Sequence, residues 1–141
     1  MTTMEAIRSY IGRCPLLKDG YLQIDYLGAE PTEYVIESTP ADGVIKQYAD
    51  GGALKQFVFV FGSREYYGAD VIGNLANSAF YEQFAAWLED QNKTGNLPEL
   101  GEGKTVQKIE TTTTGYLLYG DANTARYQIQ CRLIYFEGGK Y

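Results

Sequence analysis

The sequence predicts an α+β fold: a mixed or antiparallel sheet of about six or seven strands, packed by one long helix and a short N-terminal helix. Two observations carry this. One segment alone, Asn74 to Asn92, has a sustained helical period, while most of the remaining apolar residues alternate two by two. The strand-like segments also follow one another through short turns, which excludes a doubly wound parallel sheet. At 141 residues the chain reads as one domain, 1–141, with no linker or internal repeat.

Thr3 to Gly12 reads as a short helix with Thr3 as cap, Glu5 in the first turn and an apolar stripe of Met4, Ile7 and Ile11. Gly12 and Pro15 end it. Tyr21 to Leu27 alternates as a strand, with Leu22, Ile24 and Tyr26 on one face. A turn over Gly28–Thr32 with Pro31 leads to a second strand, Glu33 to Ser38. Val44 to Tyr48 and Leu54 to Phe61 form a hairpin around Asp50-Gly51. Phe57, Phe59 and Phe61 alternate there against Val58 and Val60, so the second arm is apolar on both faces and belongs in the middle of the sheet. Ser63 to Asp70 is expected to be a loop entering the long helix.

In that helix Phe80, Phe84, Trp87, Leu88 and Gln91 share one face, continued by Ile72, Leu75, Ala76 and Ala79. Trp87 is expected to be buried between helix and sheet. Glu82, Gln83, Glu89 and Asp90 form the wet side, and Asn92, Gly95 and Pro98 give the stop. From Asn74 to Asn92 the helix is about 28 Å long at ~1.5 Å per residue, enough to cross a sheet. Glu99 to Gly103 is a loop, and Lys104 to Thr114 a strand ending in four threonines. Tyr116 to Tyr119 is the next strand, a turn follows at Gly120–Asn123, and Ala125 to Phe136 is the last. In the last strand Tyr127, Ile129, Cys131, Leu133 and Tyr135 face one way and Arg126, Gln128, Gln130 and Arg132 the other.

Chemistry is constrained mostly by what is missing. The chain has no histidine, which removes Ser/His/Asp and Cys/His nucleophilic systems and most zinc sites. The two cysteines, Cys14 and Cys131, lack metal spacing and imply no disulfide framework. A net charge of −6 opposes binding of a phosphate backbone. No apolar run reaches the ~20 residues of a membrane span, and the first residues do not read as a signal peptide, so a reduced, cytoplasmic setting is expected. Gly101-Glu102-Gly103-Lys104-Thr105 resembles a phosphate loop but has Pro98 where the first glycine belongs, and it opens a strand. Glu82, Glu89 and Asp90 read as a solvated helix face. The expectation is therefore no enzyme activity, cofactor, metal or nucleotide. With 13 Tyr among its aromatics, the chain suits partly buried surfaces and subunit contacts.

Five stretches carry a resemblance across nearly the whole chain: CPLL after the first helix, VIKQYADG from Val44, QFVFVFGSREYYG, FYEQFAAWLEDQNKTGNLPEL, and the closing YQIQCRLIYF. Together they resemble the tail terminator proteins of tailed phages and phage-like particles, also labelled minor capsid proteins in Gram-positive phages. The resemblance implies a protomer that closes into a ring, usually a hexamer, on the end of the tail tube. Such a ring stops polymerisation and meets the head connector, or the last sheath ring in contractile particles, with DNA only as passing cargo and no membrane partner. The implied location is host cytoplasm during assembly, then the particle's tail. A head-completion or head–tail connector protein is the alternative within phage assembly, and a small-molecule-binding domain using the long-helix groove the alternative outside it. For a ring interface the candidates are Arg64, Tyr66 and Tyr67 before the helix and Arg126 and Arg132 on the last strand. The expected acidic partners lie in turns: Asp42, Asp50 and Glu65.

Overall fold

A computed structural model describes residues 2–17, 22–24, 33–66, 71–120 and 124–138, apart from the side chains at 23, 33, 66, 71–77 and 119. The element order is α1 (Thr3–Ile11), β1 (Leu22–Ile24), β2 (Glu33–Ser38), β3 (Val44–Gln47), β4 (Ala53–Tyr66), α2 (Val71–Thr94), β5 (Lys104–Thr111), β6 (Tyr116–Gly120) and β7 (Thr124–Glu137). This is the predicted α+β order of helix, four strands, long helix and three strands. The predicted turn at Gly28–Thr32 and all but Gly120 of the one predicted at Gly120–Asn123 lie outside the described residues, as does the tail beyond Gly138; Gly120 itself ends β6.

The spine of the sheet is the antiparallel pair β4·β7, fourteen residues each, in unbroken register from Ala53↔Glu137 to Tyr66↔Thr124. At ~3.4 Å per residue this ladder is roughly 44 Å long. No single neighbour runs its full length. On the outer edge of β4, β2 covers one end and β3 the other; on the outer edge of β7, β6 covers one end and β5 the other. Each outer pair is one long strand broken in the middle. Between Ser38↔Phe59 and Val44↔Lys55 the outer chain advances six residues while β4 advances four. Between Thr111↔Cys131 and Tyr116↔Gln128 it advances five while β7 advances three. Pro40 accounts for the first break, having no N–H for the ladder; the second falls in the threonine run and at Gly115. A parallel β1·β2 pair makes the sheet mixed.

Central placement of β4 follows from its composition, as expected. It also corrects one boundary: 63–66 is not a loop but the last turn-side stretch of β4, paired with β7. Ser63 is drawn into the sheet because its hydroxyl has a buried partner, the Tyr81 hydroxyl at 2.6 Å.

One face of the sheet carries both helices. Tyr34, Ile36, Phe59, Phe61, Ile109, Ile129, Cys131 and Leu133 meet Tyr81, Phe84 and Leu88 of α2 and Ile7, Tyr10 and Ile11 of α1. Trp87 requires a correction. It is only partly buried and stacks between Phe84 (6.2 Å) and Tyr10 of α1 (5.5 Å) rather than under the sheet. Tyr81 takes the deep position instead.

Helix ends are set locally. Thr2, not Thr3, caps α1: its hydroxyl accepts from the Glu5 N–H at 3.1 Å and donates to the Glu5 carboxylate at 3.2 Å. At the end of α2, Gly95 adopts φ +76°, with Gly95 N–H on Asn92 O and Asn96 N–H on Gln91 O. A Cβ at Gly95 would meet nothing, so Gly95→Ala isolates the left-handed backbone cost. We expect a loss of about 1 kcal/mol in denaturant melts, with m unchanged.

Tyr10 ties the helices together. Its hydroxyl donates to Asn96 O at 2.7 Å, and burial pushes its pKa up to about 12. The protonated form is favoured in the fold, so this stabilisation is whole below the unfolded value near 10 and is lost as pH rises through about 12. Between those limits Tyr10→Phe should lose stability less steeply than the native chain.

Candidate assembly surfaces

A sheet with two broken outer strands has four edges, and the structure treats them differently. Along β5, the Asn92 side chain reaches from α2 and acts as a strand residue would. Its Oδ1 accepts from Ile109 N–H at 3.0 Å and its Nδ2 donates to Ile109 O. Along β1, Arg8 of α1 donates from Nε to Leu22 O at 2.8 Å. These two edges are thereby stitched to helices.

Strands β3 and β6 are not. Among the described residues each pairs on one side only, β3 with β4 and β6 with β7. The large apolar side chains left most exposed among the described residues all belong to these two edges or their turns: Val44 (38%), Ile45 (44%) and Tyr48 (38%), and Leu117 (43%) and Leu118 (46%). Uncovered apolar edges are what folded proteins ordinarily avoid, by charge, proline or a covering element. Tyr116–Gly120 contains neither a charged residue nor a proline.

The β3 edge lines one hollow, and a second opens beside the break that precedes β6. A cleft of about 650 Å³ is lined by Ile45, Tyr48, Leu54, Ile134 and Phe136, with Lys108 and Arg132 at its rim. A groove of about 500 Å³ runs between α2 and the break before β6, floored by Tyr81, Leu88 and Ile129 and rimmed by Glu82, Glu89 and Glu110. Burial raises the carboxyl pKa of Glu110, but hydrogen bonds from Arg132 and Lys108 outweigh it and hold the group below its ordinary value. The remaining rim charges, Glu82 and Glu89, are exposed.

The residues nominated from sequence do not converge on one patch. Arg126 and Arg132 were expected to stand unpaired; both are paired within the chain. Arg126 on β7 crosses β4 to reach Glu37 on β2, and its side chain is 13% exposed. Gly62 lies beside the crossing, where a Cβ would come to 3.4 Å from the guanidinium, ordinary contact distance. Arg132 donates to Glu110 at 2.5 Å. Glu65 was expected in a turn but lies in β4 and is buried. Arg64 is also in β4, where its guanidinium donates to the Thr124 hydroxyl at 3.3 Å. Tyr66 ends β4, and Tyr67 lies outside the described residues. Asp42 and Asp50 do sit in turns and are exposed, but each serves its own loop, accepting from Val44 N–H (3.1 Å) and Gly52 N–H (2.9 Å).

Sequence reading missed the edge residues because strand alternation assigns faces, not exposure. The available signal was YLLY: two adjacent leucines in a strand point to opposite faces, so one of them leaves the helix-covered core. Other chemistry is sparse. Gly101 and Gly103 have φ of +109° and +80° and turn the chain into β5, with no helix following Lys104 and Thr105. Among the described residues, no group of three or more cysteines and carboxylates is arranged to hold a metal, and no helix is long and apolar enough to cross a membrane. Burial raises the thiol pKa of both Cys14 and Cys131, which keeps them protonated and unreactive. Compared with known proteins, the chain matches no family model and no curated sequence.

Proposed function

We propose that this protein is a structural component of a phage or phage-like tail, which forms a ring on the tail tube, ends its polymerisation and supplies the joint to the head connector or the last sheath ring. One observation carries the reading: two separate exposed apolar edges, β3 and β6, sit at opposite corners of one sheet. A ring of identical subunits needs two different patches, so that each copy meets its neighbours head to tail. An isolated binding domain needs neither. The motif resemblance, the acidic charge and the lack of histidine agree with a scaffold that passes DNA without holding it.

Deletion in a particle-producing strain tests the proposal. Tails of uncontrolled length, left without heads, are expected by electron microscopy. Tails of normal length still joined to heads would sink the terminator reading, and normal-length tails left unjoined would assign the protein to the head side of the junction. The groove between α2 and the break at Thr111–Gly115 supports a second reading, a small-molecule site. A stoichiometric small molecule co-purifying with the native protein would favour it.

A further inference from the structure

We propose that the ring is built by strand addition: β6 of one copy pairs with β3 of the next, so that the sheet runs on from subunit to subunit. The inference rests on the ring reading above and names its interface. Three observations lead to it.

The first is selective exposure. Of the four edges, β5 is tied to α2 at Ile109 and β1 to α1 at Leu22, while among the described residues β3, its Val44 N–H bonded to Asp42 apart, and β6 have no strand or helix on their outer side and carry exposed Val44, Ile45, Leu117 and Leu118. An edge strand with unspent main-chain groups and apolar side chains is the substrate of strand addition: the backbone supplies affinity and the side chains specificity.

The second is direction. β3 is antiparallel to β4, β4 to β7, and β7 to β6, so β3 and β6 run antiparallel within one copy. A neighbour in nearly the same orientation, displaced across the strands, therefore offers its β3 antiparallel to β6. The two edges are offset along the strands by the distance from Leu54 to the level of Ser63 and Arg64 on β4, about 32 Å at ~3.4 Å per residue. The same stagger at every junction tilts the strands against the ring axis, as shear does in a closed barrel.

The third is charge. Lys46 stands exposed on β3, its ammonium 5.3 Å from the Tyr48 ring centre. The groove beside the lead-in to β6 carries exposed Glu82 and Glu89 on its rim. Lys46 of one copy can thus face Glu82 or Glu89 of the next, while Asp42 and Asp50 stand in the turns at either end of β3.

Sedimentation velocity on the purified full chain tests the pairing with Ile45→Asp and Leu118→Asp. Both side chains are exposed, so each variant should fold, as circular dichroism would verify; Val44→Lys and Leu117→Lys are the replacement pair if either melts early. Wild type should form ring-sized species, and each variant alone should be monomeric. An equimolar mixture should give dimers and nothing larger, because only the intact β6 of one variant and the intact β3 of the other can meet. A monomeric mixture, a variant that assembles like wild type, or a wild type that stays monomeric at its highest soluble concentration would overturn the pairing. If only Leu118→Asp blocks assembly, the contact is β6 to β6 and the proposal fails. Tail length after deletion judges the terminator reading separately: normal assembly of both variants with overlong tails on deletion would leave that reading standing and remove only the strand addition.

Discussion

Phe84→Ala should cost about 3–5 kcal/mol, the range for large aromatics truncated in a packed core. Phe84 is fully buried at the middle of α2, and its ring stacks on Phe61 of the central strand at 4.5 Å between centroids. That contact joins the helix to the strand that holds the sheet together, and collapse around the lost ring is opposed by Phe59, Ile129 and Leu88 on fixed backbones. A domain of this size has about 5–15 kcal/mol in total, so the variant should lose a large share of its stability and its denaturant midpoint should fall accordingly. Trp87→Ala should cost less despite the larger ring, because Trp87 lies half-buried between α2 and α1. Equal or reversed losses would mean that α2 is rotated from the face described here.

How much of this was legible in the sequence depends on which physical signal each feature left. Alternation in Tyr127, Ile129, Cys131, Leu133 and Tyr135 marked the helix-covered face of β7 correctly, because a two-residue period has one buried solution. The all-apolar run of Phe57 to Phe61 placed β4 in the middle for a different reason, since a strand apolar on both faces belongs inside the sheet. Helix register was less certain. Phe80, Phe84, Trp87 and Leu88 span a wide arc, and a wide arc does not say which aromatic lies deepest; the tyrosine at 81 was not counted as core although its hydroxyl is satisfied by Ser63 and Tyr127 O. Arg126 and Arg132 seemed free because their partners, Glu37 and Glu110, come from strands 89 and 22 residues away in the chain. Long-range pairing of that kind has no local trace. Exposure of β3 and β6 was equally silent, since it depends on which neighbours a strand lacks.

Arg126→Glu illustrates the consequence. Read as an exposed interface charge, it would spare the fold; as the partner of Glu37, it places two carboxylates together on a half-buried face. A loss of assembly in that variant would therefore say nothing about the interface until its stability had been measured, whereas Ile45 and Leu118 are exposed apolar side chains with no ion pair to break.

Gly115→Ala is the second change with a large expected effect, and its cause is a contact no side-chain pattern announces. A Cβ at Gly115 would stand 2.4 Å from Tyr81 Cβ and 2.6 Å from Cγ. Those atoms lie at the root of the side chain, so no rotamer of Tyr81 relieves the clash; α2 or the chain before β6 must move. Overpacking of this kind costs about 1–3 kcal/mol. The tip of Tyr81 is also fixed, its hydroxyl 2.6 Å from the Ser63 hydroxyl and donating to Tyr127 O at 2.9 Å in a fully buried setting. Burial there raises the Tyr81 pKa far above its ordinary value, which keeps the hydroxyl a donor. If the shift breaks these bonds, stranded polar groups add a further ~1–3 kcal/mol. A double-mutant cycle separates the two parts. In a Tyr81→Phe background, Gly115→Ala should cost less, by the share due to the hydrogen bonds. In a Tyr81→Ala background it should remain costly, because the alanine keeps the Cβ that clashes. A loss under about 0.5 kcal/mol for Gly115→Ala alone, the scale of an ordinary surface change, would show that the helix and the broken strand are not in this contact. Since Gly115 immediately precedes β6, the displaced chain should also carry the edge out of register, and assembly should fall further than the lost stability accounts for.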